Sequence, residues 1–217
     1  MPTRLKVCCI ASREEAALAI RHGASAIGLV SAMPSGPGPI DEALIAEIAG
    51  SVPPPIATFL LTCAVTAEAI VAQVRRCRTS TIQLVDAVAP AVYGELRLAL
   101  PGVKLVQVIH VLNEASVGEA QEAASHADAL LLDSGNPNLA VKELGGTGRA
   151  HDWRLSRRIV EAVSVPVFLA GGLNPANVRE AMASVRPFGI DVCSGLRSDG
   201  RLDEAKLAPF AAAVLGT

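Results

Sequence analysis

Short apolar runs, rich in Val, Ile and Leu, alternate eight times with longer Ala-rich segments along this chain. The runs fall at 5–10, 26–30, 56–61, 81–84, 104–109, 129–132, 167–169 and 189–192. Each is too short for a helix and too uniformly apolar for a strand with one wet face, so each predicts a strand buried on both sides. Between them lie segments of helical period. In 12–22, Ser12 can cap the first turn while Glu14 and Glu15 sit at the positive end of the dipole. In 66–77, Ala69, Ile70, Val74 and Cys77 fall on one predicted face. Strands alternating with helices imply parallel pairing through crossovers. Eight such units predict an α/β chain forming a closed (β/α)8 barrel, the TIM barrel, as one domain over 1–217. A doubly wound open sheet is the alternative.

Composition narrows the functions available. The 217 residues are 51% hydrophobic and 18% charged, with a net charge of −2. That balance suits a packed core and gives no reason to expect nucleic acid or an anionic membrane as partner. No apolar run approaches the ~18 residues a spanning helix needs, and the first one ends at Arg13-Glu14-Glu15. The protein therefore reads as cytoplasmic, a monomer or homodimer acting on a small molecule. Its five cysteines form no CxxC pair and read as free thiols, mostly in the core. The four histidines show neither HxH nor HExxH spacing, so no metal is expected. No GxGxxG follows a strand, so no dinucleotide fingerprint is present.

In a parallel barrel the working groups stand where strands end. Cys8 occupies that place on the first strand and Asp133 on the sixth. Alone, Cys8 reads as a small buried apolar residue, and Asp133 as a cap for the amides of Ser134 or Gly135. Together they offer a thiolate that accepts a proton and a carboxylic acid that donates one. Three glycine turns follow late in the chain: Gly145-Gly146-Thr147-Gly148, Ala170-Gly171-Gly172-Leu173 and Cys193-Ser194-Gly195-Leu196. Glycine lets amides approach an anion, and the loops after the seventh and eighth strands are the usual phosphate cradle. Arg197 reads either as added charge for that phosphate or as a solvated side chain. His110 reads as a hydrogen-bonded core or rim residue, and Trp153 as a helix anchor. The Pro/Gly cluster 34–39 reads as a long loop on the catalytic face.

These residues, in this order, resemble the phosphoribosylanthranilate isomerase family over nearly the whole chain. The likeness is clearest in Lys6-Val7-Cys8, Gly23-Ala24 with Gly28, Ile82-Gln83-Leu84 and Leu131-Leu132-Asp133-Ser134. It continues through the Gly145–Gly148 turn with Asp152-Trp153, Ala170-Gly171-Gly172-Leu173-Asn174-Pro175 with Asn177-Val178, and Asp191-Val192 with Ser194-Gly195. The resemblance implies a barrel that carries out, without cofactor, the Amadori rearrangement of N-(5-phosphoribosyl)anthranilate in tryptophan biosynthesis. It implies Asp133 as general acid, Cys8 as general base, and backbone amides around Gly146, Gly172, Ser194 and Gly195 as the phosphate site.

The chain also departs from the family pattern. Cys9 and Ala11 stand where Gly and Thr are usual, and loop 34–39 lacks the arginine that meets the anthranilate carboxylate. Gln-Leu-His-Gly becomes Gln83-Leu84-Val85-Asp86, bringing a negative charge where a carboxylated ring would lie. His151 replaces a Phe, and Cys193 a Ser. The losses concentrate opposite the aglycone. They leave open a paralogue acting on another phosphoribosyl amine, or a non-catalytic phosphosugar-binding barrel.

Overall fold

The computed structural model describes residues 3–144 and 151–216. Its barrel strands are β1 (Arg4–Val7), β2 (Ala26–Val30), β3 (Ala57–Thr62), β4 (Thr81–Leu84), β5 (Lys104–His110), β6 (Ala129–Asp133), β7 (Val167–Leu169) and β8 (Gly189–Val192). They pair in parallel, each with its neighbour in sequence, and β8 closes on β1. At that seam Lys6 lies opposite Asp191 on one side and Ala26 on the other. The helices are α1 (Arg13–Arg21), α2 (Glu42–Ser51), α3 (Ala67–Cys77), α4 (Pro90–Ala99), α5 (Ala115–Ala124), α6 (Trp153–Ala162), α7 (Val178–Val185) and α8 (Glu204–Leu215). The closed barrel agrees with the sequence reading and excludes the open sheet. No described helix is long and apolar enough to cross a membrane.

Local chemistry starts the helices where it should. Ser12 Oγ accepts the Glu15 amide, Asp41 that of Leu44, Thr66 that of Ala69 and Asp203 that of Ala205. Each cap satisfies one amide that helical geometry leaves without a partner, a contribution of ~1 kcal/mol. One detail differs from the pattern reading. Ala69 is exposed, and the buried stripe of α3 is Ala67, Ile70, Val74 and Cys77. Steps of 3, 4 and 3 keep those four on one line, and the bulk of Ile70 and Val74 sets the rotation.

Alternation along each strand divides the core in two. One parity, including Leu5, Val7, Ile27, Leu29, Ile82, Leu130 and Leu132, packs outward against the helices. The other faces the barrel interior, where Phe59 and Phe168 meet edge to face with centroids 6.0 Å apart. Lys6, Cys8, Gln83, Asp133 and Asp191 share the inward parity. Burial of Val, Leu and Ile at ~1.5–3 kcal/mol per side chain holds this frame.

Gly189 marks a tight point: a Cβ there would stand 2.6 Å from the Phe168 ring. Gly189→Ala should destabilise by about 1–3 kcal/mol, as overpacking does. Urea unfolding would show a lower midpoint with an unchanged slope.

Candidate active site

Cys8 lies one residue beyond β1 and Asp133 is the last residue of β6, so both emerge where the barrel opens. They line one cleft of about 690 Å³, mouth included, with Gln83, Gly171, Gly172, Asp191, Cys193 and Ser194. The two predicted proton-transfer groups therefore share a cavity.

The Asp133 carboxyl does both things its sequence suggested. Its Oδ1 accepts the Ser134 amide at 2.7 Å, and the group still faces the cleft. Burial raises its pKa; the Ser134 bond opposes this, and the nearby Asp191 charge adds to it. The net shift is upward, toward an acid that keeps its proton above the usual carboxylate range. His110, across on β5, is buried with Nε2 3.0 Å from the Val85 carbonyl, a hydrogen-bonded core residue as read.

On the other side, the turn after β1 is pinned by Arg197. Its guanidinium donates to Glu15 at 3.1 Å, to the carbonyls of Cys8 and Cys9, and to the Gly200 carbonyl at 2.8 Å. Arg197 is thus not a solvated side chain: it holds the turn after β1. Burial opposes the charge on Glu15, but Arg197 and the amides of Ala11 and Leu202 outweigh it and keep the carboxylate ionised. The clamp matters because Cys9 has φ +60°, a conformation suited to the glycine usual there. The Cys9 thiol donates to the Pro37 carbonyl at 3.6 Å, and the neighbouring Cys193 and Cys8 thiols, together with burial, hold it protonated. Cys193 is displaced downward, first by its neighbour Cys9.

Loop 34–39 covers this face as read: Ser35, Gly36 and Pro37 line the cleft, and Gly38 packs on Cys9. Ser35 Oγ donates to the Lys142 carbonyl at 2.6 Å. Lys142 in turn pairs with Asp86, so the Asp86 charge is matched by a cation at the rim.

The phosphate turns are described in part. Gly146 lies outside the described residues. Gly172, with φ +64°, and Ser194 line the cleft. No described acceptor takes the amide of Gly171 or Gly172. Gly195 is set back from the cleft wall, its Cα packed so tightly on the Leu173 carbonyl that no side chain fits. It joins the two turns where Asn174 and Asn177 side chains hold the Gly172 carbonyl. Among the described residues no group of three or more His, Cys, Asp or Glu side chains is gathered as for a metal ion. Sequence reasoning gave no task to Lys6, Asp191 or Gln83; the signal was their inward parity, two residues or one strand from groups already singled out.

A barrel with an acid and a thiol across one cleft, and glycine turns after β7 and β8, defines a class: enzymes that move protons on a small phosphosugar. Residues 5–213 match the family model for N-(5'-phosphoribosyl)anthranilate isomerase, and the chain belongs to that family. Isomerases of that name from Methanosarcina mazei and Methanocella arvoryzae are 38% and 35% identical to it. The matches cover 95% of this chain and 92% of the first relative, and 94% of each for the second. The phosphoribosyl anthranilate isomerase structure from Thermotoga maritima superposes with TM-score 0.85 at 26% identity, covering 99% of this chain and all of that one.

His151, before α6, is pushed down to about 4, by burial first, with Asp152 opposing. A buried neutral imidazole costs stability as pH falls, because only the unfolded chain takes up the proton near 6.5. The loss begins below about 6.5 and is complete near 4. His151→Phe should therefore remove on the order of 2 kcal/mol of the stability lost between those limits. Urea titrations at pH 7.5 and 5 measure it.

Proposed function

We propose that Cys8 and Asp133 carry out the isomerisation of N-(5-phosphoribosyl)anthranilate, as general base and general acid. The observation that carries this reading is their convergence on one cleft from β1 and β6, with Asp133 shifted toward its protonated form. Asp133 gives its proton to the furanose ring oxygen while the amine lone pair displaces the C1′–O bond, opening the ring to a Schiff base. Cys8 then removes the C2′ proton, and those electrons move toward nitrogen to form an enolamine. Tautomerisation puts a proton on C1′ and leaves the C2′ ketone. The chemistry needs no cofactor, since one acid and one base suffice for the ring opening and the proton transfers that follow it.

Amides of the turns at Gly172, Ser194 and Gly195, with Gly146 as a fourth expected position, hold the phosphate. The amides of Gly171 and Gly172, which no described acceptor takes, support that reading. Anchoring the phosphate leaves C1′ and C2′ between acid and base, and orientation of this kind contributes ~7–11 kcal/mol to lowering a barrier. Lys142, though paired to Asp86, gives the rim of the cleft a cation that loop 34–39 lacks. Free thiols at the mouth suit a cytoplasmic setting.

Asp133→Asn and Cys8→Ser should each lower kcat ~10²–10⁴-fold with a much smaller change in KM. Steady-state turnover and complementation of a tryptophan auxotroph lacking this isomerase measure both effects. Near-normal turnover in either variant would remove that residue from its role. The wild-type rate should also fall on the alkaline side as Asp133 loses its proton, above the pH at which an ordinary carboxyl ionises.

A further inference from the structure

Lys6 is the bulkiest wholly buried side chain among the described residues, and the proton transfers above give it no part. An ammonium is costly to place inside a barrel unless a charge and good geometry answer it. Asp191 supplies the charge from directly across the β1–β8 seam, with Oδ1 2.9 Å from Lys6 Nζ, an ion pair rather than an aligned hydrogen bond. The Phe59 ring supports the same ammonium at 5.1 Å. Burial works against the lysine's charge, yet Asp191 and then Cys8 outweigh it, and its pKa rises.

The pair has a direction. A Cβ on Gly28 would meet Cys8 Sγ at 2.6 Å and Lys6 Nζ at 3.2 Å, so sulfur and ammonium converge on one point that only glycine leaves open. The other end, Asp191, lines the cleft with Asp133. We propose that the buried Lys6–Asp191 pair is a positioning element of the reaction, its ammonium stabilising negative charge on Cys8 and its carboxylate keeping the proton on Asp133. The proposal rests on the acid and base roles given above and goes beyond them.

Coulomb's law explains why a pair serves better than either charge alone. A lone lysine would also draw the proton off Asp133, and a lone aspartate would drive one onto Cys8. Oriented as a dipole, each end acts most on its near neighbour. The other groups nearby are already engaged. Arg197 is held by Glu15 and the Cys8 and Cys9 carbonyls, and the Cys9 thiol by the Pro37 carbonyl. On the Asp133 side stand the Ser134 amide and His110, whose ring meets the Val85 carbonyl.

The test uses Lys6→Met, Asp191→Asn and the double variant, each in the full chain. Iodoacetamide labelling of the peptide bearing Cys8, in a Cys9→Gly background, reports charge on that sulfur whether or not the protein turns over. Lys6→Met should slow labelling about tenfold at pH 7, because the sulfur loses the ammonium beside it. Asp191→Asn should move the alkaline limb of kcat down by about one pH unit, because Asp133 then loses its proton earlier. Where a single variant leaves an unpaired buried charge and fails to fold, the double variant carries the test. It should show slower labelling and the earlier alkaline loss together. A purely structural pair would lower the melting temperature and leave both readouts in place. Folded double variant with wild-type labelling and an unmoved alkaline limb would overturn the proposal while leaving the isomerase reading intact. A wild type that does not turn over N-(5-phosphoribosyl)anthranilate would instead sink the parent reading, and labelling would still judge the lysine.

Discussion

Everything at the mouth of this barrel depends on the closing of β8 onto β1. Parallel hydrogen bonding there sets Lys6 opposite Asp191 and carries the Cys8 amide to the Val192 carbonyl at 2.8 Å. That register decides what faces the interior, because a slip of one residue would turn every inward side chain outward. The ion pair and the hydrogen bonds are thus two descriptions of one alignment. Asp133 joins the same cavity through β6, five strands away in chain order, by the same inward parity.

Arg197 extends that alignment to the turn that follows β1. Cys9 occupies a backbone conformation that a side chain resists, at a cost of order 1 kcal/mol. The guanidinium that binds the Cys8 and Cys9 carbonyls also binds Glu15 at the start of α1 and the Gly200 carbonyl beyond β8. One part-buried cation therefore ties the first and last units of the barrel together beside the Cys8 sulfur. The departures from the family pattern at Cys9 and Cys193 come as a matched set, since the two neighbouring thiols shift each other's proton affinity in opposite directions. Asp86 similarly departs together with a partner, Lys142.

Family membership and site geometry support each other without being the same argument. The family model spans 5–213, and the convergence of Cys8 and Asp133 on one cleft is a separate physical fact. A non-catalytic barrel would have no need of an aspartate driven toward its protonated form by burial, nor of a lysine buried beside a thiol. Loop 34–39 contains no basic residue, yet the face it covers is not without positive charge, since Lys142 lies at the rim.

The eight-unit alternation was legible in the sequence because apolar period and length separate buried strands from amphipathic helices. Strand bounds came within a residue or two at most ends, and caps such as Ser12 are local chemistry. Cys8 and Asp133 were legible because a reactive group at the end of an apolar run stands out. Local pattern could not give the rotation of α3, where Ala67 rather than Ala69 is buried, nor the clamp made by Arg197. Nor could it reveal that Lys6 and Asp191, 185 positions apart, lie side by side. Sequence alone determined which segments become strands and helices and which carry reactive groups, since those depend on near neighbours. Only the closed tertiary structure decided which charges meet, because ring closure brings distant residues within a few ångströms in a medium that does not screen them.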